Sequence, residues 1–369
     1  MKILQLGKFY PVRGGVEKVM YDLTVGLSSE GIDCDMMCAS ADGPHMEKRL
    51  NDRAALYVCR TYGKVASTMI STEMVKAFKE ICGRYDIVHI HAPDPMACLA
   101  LFMSGYKGKV VLHWHSDILK NRLLMLFYSP LQNWLLRRAD VIVGTTPVYV
   151  EQSPFLQSFR SKIDWIPIGI EPMVPDPSLT ARIRSRYEGK KIVLSVGRLI
   201  PYKGYRYLVE AASFLDDDYM VLIAGTGPLG YRLRKQIAGC GLDRKVELLG
   251  FVPDNELPSY FGACDVFCFS SIYKTEAFGI AQIEAMSCGK PVVATDIPES
   301  GVPWVNSHGV SGLNARPADA RSLAAAIASV VEDRKRYGEY SANAKNRYEQ
   351  FFAKDQMIKK CVNVYEKLF

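Results

Sequence analysis

The chain holds 369 residues, 49% hydrophobic and 23% charged, with a formal net charge of +7. That is the make-up of a folded protein too long for one ordinary core, so two domains are expected. No run of 18 apolar residues occurs, which excludes a membrane-spanning helix, while the mild positive bias permits an anionic substrate or membrane surface.

The amino-terminal MKILQLGKFYP lacks a signal-peptide core and reads as a first strand, Lys2–Leu6. A loop with Gly14 and Gly15 follows, then a helix over 16–29 with Val16, Val19, Met20, Leu23 and Leu27 on one face. Strands are expected at 34–38 and 56–59, a helix over 72–82, a strand at 87–90 and a helix from about Met96. A strand at 110–113, a helix over 122–138, and strands at 141–143 and 163–166 complete a β-α alternation, the mark of a parallel doubly wound sheet. Residues 166–179 carry four prolines and no periodicity, and the domain boundary is placed there.

A second β-α series starts with a strand at 192–196. It continues through a helix at 204–214, a strand at 220–224, a helix at 229–238, a strand at 246–248 and a helix at 255–264. Three helices, about 321–332, 336–352 and 356–368, close the chain. The expected domains are 1–168, 169–352 and a crossing helix over 353–369. The fold class expected is α/β, with two Rossmann-like domains facing across a cleft that holds a ligand at the carboxyl ends of their strands. Ten cysteines without a C-x-x-C read as reduced thiols of a cytoplasmic protein.

The most informative stretch is Ser270 to Thr295, SSIYKTEAFGIAQIEAMSCGKPVVAT. It reads as a polar loop after a strand, a helix from about Phe278 to Ser287, a turn at Gly289 and another strand. Glu276 precedes the helix and Glu284 lies inside it, roughly 12 Å apart if helical at ~1.5 Å per residue. That is about the reach from the sugar of a nucleotide-sugar to its ribose. The N–H groups of Phe278, Gly279 and Ile280 lie between, at the positive end of a helix and suited to a phosphate. Read blandly, Glu276 favours the helix dipole and Glu284 is a solvated helix residue. Glu284 sits among Ile280, Ile283, Ala285 and Met286, however, and a carboxylate there wants a partner.

Arg198 and Lys203 in SVGRLIPYKG stand after a strand, where two cations can neutralise a diphosphate; otherwise they are surface cations. Gly225 and Gly227, in GTGP, make a tight turn after another strand, and Phe251-Val252 follows a third. His89 and His91 end one strand and His113 and His115 another, and period two puts each pair on one face. Zinc held by two H-x-H pairs is a fair alternative for them. Asp33-Cys-Asp35 has D-x-D form but opens an early strand, and reads as coincidence.

Taken together, the Gly-Gly loop, His115-Ser116-Asp117, R-x4-K, G-x-G and E-x7-E resemble retaining glycosyltransferases of family 4, over essentially the whole chain. The resemblance extends to bacterial surface-polysaccharide mannosyltransferases through FYPVRGGVEKV and KTEAFGIAQIEAM. It implies the GT-B fold and transfer of a hexose from a nucleotide-sugar with retention, without a metal or other cofactor. It implies that Arg198, Lys203 and the amides at Phe278–Gly279 hold the diphosphate, Glu284 the ribose, Glu276 the sugar hydroxyls, and His115 the sugar near C1. Gly14, Gly15, Gly225, Gly227, Val252 and Ile280 join the donor site. His91 is structural or acceptor-side, and His89 and His113 are structural. GDP-mannose is the favoured donor, with UDP-glucose, UDP-galactose and UDP-N-acetylglucosamine open. A polyprenyl-diphosphate-linked saccharide is the expected acceptor, and no nucleic acid is expected.

Whether Glu276 is a covalent nucleophile, or the leaving phosphate takes the acceptor proton in a front-face attack, is left open. A sugar phosphorylase or epimerase of the same fold and a non-catalytic nucleotide-sugar sensor are the rival classes. The expected location is cytoplasmic, with peripheral contact to the inner membrane permitted. The stretch from Lys120 and Arg122 through Trp134 to Arg138, and that from Arg60 to Arg84 with Lys64, Lys76 and Lys79, mix cations with apolar residues as docking faces do. Packing on the sheet is slightly favoured for the first.

Overall fold

The computed structural model describes the chain apart from Asp42, Ala66, Ser67 and residues 119–121, and apart from the side chains of 122–124. The backbone falls into two units, Met1–Gly169 with Lys354–Phe369, and Ile170–Ala353.

The first unit is built on β1 (Lys2–Tyr10), β2 (Asp33–Ser40), β3 (Met46–Asn51), β4 (Ala54–Cys59), β5 (Gly63–Val65), β6 (Thr68–Ile70), β7 (Ile87–Ala92), β8 (Lys109–Trp114), β9 (Val141–Gly144) and β10 (Ile163–Trp165). Eight of them form one sheet in the order β10-β9-β8-β7-β1-β2-β4-β3, and β5 and β6 form a separate hairpin. Pairing is parallel throughout the sheet except for β3 on β4. β3 reads MEKRLN and lies largely exposed. Charged side chains on an edge strand block further pairing, and they also hide the strand from any search for apolar runs. The central strands are buried on both faces, as parallel strands covered by helices must be.

Five helices belong to this part of the chain: α1 (Gly15–Ser29), α2 (Thr72–Ile81), α3 (Pro95–Ser104), α4 (Arg122–Arg138) and α5 (Pro147–Gln152). Val19, Met20, Leu23 and Leu27 of α1 are fully buried, each contributing about 1.5–3 kcal/mol by leaving water. α3 starts where Asp94 accepts the N–H groups of Met96 and Ala97, both at 3.0 Å, with Pro95 in the first turn. The last helix, Lys354–Glu366, packs on α1, where Ile358 fills the space a side chain at Gly26 would need.

The second unit contains β11 (Lys191–Val196), β12 (Tyr219–Ala224), β13 (Val246–Gly250), β14 (Val266–Phe269), β15 (Val292–Thr295) and β16 (Gly312–Ala315), all parallel in the order β13-β12-β11-β14-β15-β16. Its helices are α6 (Pro177–Arg186), α7 (Tyr205–Ala211), α8 (Gly230–Gly239), α9 (Leu257–Ala263), α10 (Ile280–Ser287), α11 (Val302–Val305), α12 (Ala320–Glu332) and α13 (Arg334–Arg347). The stretch expected to be irregular up to 179 already begins α6 at Pro177. Asp176 accepts the Leu179 N–H at 2.8 Å there, so its Asp-Pro pair was a helix start rather than part of a linker. The helix expected over 336–352 ends at Arg347, and a wider turn carries 348–352.

Candidate functional site

In the second unit the chain runs from β11 to β12 to β13 on one side, and β14 lies on the other side of β11. Open α/β sheets bind ligands beyond the carboxyl ends of strands at such a reversal. The loop leaving β11 carries Arg198 and a single turn, Pro201–Lys203. The loop leaving β14 carries Ser270 to Gly279. The two are tied together. The Ile272 N–H donates to the Tyr202 carbonyl at 2.8 Å, and the Ser270 hydroxyl donates to the Lys203 carbonyl at 2.9 Å. Gly204 (φ +69°) permits this approach, since a side chain there would strike the Ser270 carbonyl.

The result is a close ion pair. Lys203 Nζ lies 2.5 Å from Glu276 Oε2, with side-chain exposures of only 14% and 13%. Glu276 also accepts the Ser271 hydroxyl at 3.0 Å, and Lys203 Nζ stands 4.8 Å from the centre of the Phe269 ring. So little water reaches the pair that removing either partner would strand a charge at a cost of about 3–5 kcal/mol. Arg198 is exposed, with a guanidinium nitrogen 3.5 Å from the Tyr202 hydroxyl. Most of its fork is left for an outside acceptor.

α10 begins at Ile280, two residues later than the sequence suggests. Phe278 and Gly279 are outside it because Gly279 adopts a left-handed conformation (φ +82°), and a Cβ there would sit 2.7 Å from the Phe269 ring. Phe278 turns its ring inward, edge-on to Phe352 at 5.8 Å. The Gln282 N–H bonds the Gly279 carbonyl at 3.0 Å. The N–H groups of Phe278, Gly279, Ile280 and Ala281 make no backbone hydrogen bond among the described residues, as the orphan donors ahead of a helix should.

Glu284 stands one turn further on. Burial pushes its carboxyl up to about 7, helped by the Asp254 charge and opposed by Lys203. No protein donor reaches it among the described residues, so an outside donor suits it. Asp254 follows Val252 in the loop after β13, which brings that loop, α10 and Lys203 to one end of the sheet. Gly225 and Gly227, after β12, lie with their backbone against Gly197 and Leu199. Arg198, Lys203, Gly225, Gly227, Val252, Glu276, Phe278, Gly279, Ile280 and Glu284 thus all belong to loops, or a helix start, at the carboxyl ends of β11 to β14.

The remaining candidates lie in the first unit. Gly14 caps α1 and Gly15 opens it. His89, His91, His113 and His115 are all buried. Their rings form a ladder, with centroids 4.8 Å apart for His89–His91 and 4.0 Å for His113–His115, at interplanar angles of 13° and 11°. Nitrogens of His89, His91 and His113 fall within 4.8 Å of one another. A metal takes the lone pair in the ring plane, and near-parallel rings do not aim those lone pairs at one point. Both His91 nitrogens are also engaged, Nε2 with Gln5 Oε1 at 2.7 Å and Nδ1 with His115 Nε2 at 2.9 Å. The geometry therefore favours a stack of rings over zinc, with His91 and His115 hydrogen-bonded to each other and neither His113 nitrogen partnered among the described residues.

Burial depresses all four imidazoles, His113 to about 3, so they are neutral near pH 7. The Gln5 oxygen can only accept, so His91 carries its proton on Nε2 and accepts on Nδ1. His115 must then carry its proton on Nε2, and its Nδ1 is a lone-pair acceptor with no protein partner among the described residues. Gln5 also donates to the Tyr365 hydroxyl at 3.1 Å, which lies 2.6 Å from His89 Nδ1. Sequence reasoning missed Gln5 and Tyr365 because one glutamine in an apolar strand carries no spacing signal. It also missed Ser271, which braces Glu276. The Asp33-Cys-Asp35 carboxylates serve the fold: Asp33 pairs with Arg53 at 2.9 Å, and Asp35 accepts the Ala55 N–H and the Tyr85 hydroxyl. Lys120 and the Arg122 side chain lie outside the described residues. Leu126 and Phe127 of the same helix are 70% and 84% exposed.

Comparison with known proteins decides the family. Residues 13–173 match the family model described as Glycosyltransferase Family 4, and 180–347 the one described as Glycosyl transferases group 1. The chain is 32% identical to O-antigen chain mannosyltransferase C of Escherichia coli, covering 100% of this chain and 99% of that one. The chain belongs to the family 4 glycosyltransferases. This glycosyltransferase is also 32% identical to D-rhamnosyltransferase WbpZ of Pseudomonas aeruginosa, over 95% of this chain and 92% of that one. Among solved structures, Anabaena Alr3699/HepE in complex with UDP superposes with a TM-score of 0.80 at 22% identity, over the full length of both chains. Sucrose-phosphate synthase from Thermosynechococcus elongatus does so at 0.81 and 21%, over 100% and 99%. Those likenesses show the GT-B fold.

Proposed function

We propose that the enzyme transfers mannose from GDP-mannose, with retention of configuration, to a saccharide carried on polyprenyl diphosphate, in the synthesis of a bacterial surface polysaccharide. The observation that carries this reading is the desolvated Lys203–Glu276 pair beside Arg198 and the start of α10. Arg198, Lys203 and the N–H groups from Phe278 onward neutralise the departing diphosphate, which makes a metal unnecessary for that task. Glu276 receives sugar hydroxyls, Glu284 the ribose hydroxyls, and His115 Nδ1 a further sugar hydroxyl. The pair tilts the mechanism toward front-face attack, because a carboxylate held on an ammonium is a poor nucleophile. The mannosyl and polysaccharide assignments draw on the Escherichia coli relative matched over the full length. Location at the cytoplasmic membrane face draws on exposed Leu126 and Phe127; flotation with anionic vesicles should weaken in Leu126→Asp/Phe127→Asp.

The test is product analysis. Purified enzyme is given GDP-mannose, UDP-glucose, UDP-galactose or UDP-N-acetylglucosamine with a synthetic polyprenyl-diphosphate monosaccharide. GDP-mannose should yield an α-linked disaccharide by NMR. A β-linked product would contradict retention, and turnover with UDP-sugars alone would replace the donor. With orthophosphate added, release of sugar 1-phosphate without an acceptor product would indicate a phosphorylase.

A further inference from the structure

Arg347 closes α13 and reaches across to α11. Its Nε donates to the Val305 carbonyl at 2.9 Å, and an outer nitrogen donates to the Trp304 carbonyl at 2.5 Å. The guanidinium lies 5.1 Å from the centre of the Trp304 ring, 5.2 Å from that of Phe351 and 5.6 Å from that of Phe352, within reach of cation–π attraction. Burial pulls it below the ordinary guanidinium value, and no carboxylate opposes that among the described residues. The cation is thus engaged by carbonyls and rings, a task for a flat, forked donor.

Two arms run from Arg347 to the site loop. Along the first, its two bonds hold the carboxyl end of α11, Val302–Val305. The residues just ahead of α11 grip the loop: the Ser300 hydroxyl donates to the Glu276 carbonyl at 2.5 Å, and the Gly301 N–H to the Ala277 carbonyl at 3.0 Å. Along the second, Trp304 stands edge-on to Phe352 at 5.8 Å, and Phe352 edge-on to Phe278 at 5.8 Å. Both arms end on three consecutive residues, 276–278. Glu276 carries the carboxylate paired with Lys203, and the unpaired N–H groups begin at Phe278. We propose that Arg347 is a positioning residue for the transfer: by holding Trp304 and Phe352 it fixes residues 276–278, and with them the carboxylate offered to the sugar and the amides offered to the diphosphate. The inference rests on the proposed roles of those groups and adds what keeps them in place.

The first measurement is hydrogen exchange on the protein alone. The amides of Glu276, Gln282, Gly301 and Val305 are each bonded to a backbone carbonyl. In Arg347→Met they should exchange at least about tenfold faster. Ile327→Val, which truncates a fully buried side chain on α12, should leave them as in wild type. Unchanged exchange in Arg347→Met overturns the proposal. The second is titration of GDP and UDP well below the melting temperature. Whichever nucleotide wild type binds more tightly should bind Arg347→Met roughly five- to a hundredfold more weakly, as displacing one or two donors would cause, and Ile327→Val equally well. Arg347→Lys keeps a cation against the rings and should recover part of the affinity. In turnover, kcat of Arg347→Met should fall at least about tenfold with the acceptor KM unchanged. Faster exchange with nucleotide affinity and kcat as in wild type would overturn the proposal. Phe352→Leu, which cuts the ring arm alone, serves if Arg347→Met does not fold: Gln282 should exchange faster and the nucleotide bind more weakly, and wild-type values of both overturn it. If wild type binds neither nucleotide while the four amides still speed up, the brace on 276–278 stands and the nucleotide-sugar reading under the proposed function falls.

Discussion

Glu284→Gln separates two effects of one carboxyl. In the free protein burial raises this group from 4.5 to about 7, a rise that corresponds to roughly 3 kcal/mol at about 1.36 kcal/mol per pKa unit. The side chain is partly open to water, and screening trims the figure to about 1–2 kcal/mol. Because the folded value lies above the unfolded one, stability is fullest below about pH 4.5 and is lost as pH rises through about 7. Glutamine carries no such charge. At pH 8 the variant should therefore melt about 2–8 °C higher than wild type, at roughly 2–4 °C per kcal/mol for a unit of this size, and the gap should close near pH 5. Nucleotide binding should move the other way. Losing charge-assisted hydrogen bonds to the ribose should weaken GDP about tenfold or more. A carboxyl raised by burial should also release protons when nucleotide binds, more at pH 6 than at pH 8. Calorimetry in buffers of different ionisation enthalpy counts those protons, and the variant should lack them. A Gln variant that melts with wild type at pH 8, and binds GDP with the same affinity and proton release, refutes the placement of Glu284 as a buried acceptor.

Lys203→Ala should cost stability as well as binding, on the order of 3 kcal/mol in chemical denaturation, because Glu276 loses its partner in a nearly dry site; the double change Lys203→Ala/Glu276→Gln should recover part of it. Gly279→Ala should lose roughly 2–4 kcal/mol, since φ +82° disfavours a side chain and the Phe269 ring fills the space. Gln5→Leu should lose about 2–4 kcal/mol by stranding His91 Nε2–H and removing the donor to the Tyr365 hydroxyl oxygen. Amide exchange along 354–366 should rise in that variant, while GDP affinity stays as in wild type.

Strands such as β7, β8, β11 and β12 were legible because parallel strands buried on both faces are short apolar runs. β3 was not, since an edge strand is selected for charge, and β16 was missed because GLNA has too little apolar content to stand out. The start of α10 was misplaced because an apolar Phe278 extends the helical pattern although Gly279 breaks the backbone before it. At the site, Arg198, Lys203, Glu276 and Glu284 could be named from their spacing around Gly turns. Their pairing could not, because it depends on Gly204 bringing into contact the two loops that leave the neighbouring strands β11 and β14. The histidine ladder shows the same limit. Period two placed each pair on one face, but the orientation of the rings, which tells a ladder from a metal site, comes only from the packing.

The central claim is that a nucleoside diphosphate is held in the second unit by Arg198, Lys203 and the backbone leading into α10. Titration of GDP and UDP into wild type and Arg198→Ala/Lys203→Ala tests it most directly. The account predicts that the double variant, shown to be folded by its melting curve, loses at least about a hundredfold in affinity, as the removal of two charged donors should cause. A folded variant that binds either nucleotide as tightly as wild type would contradict it.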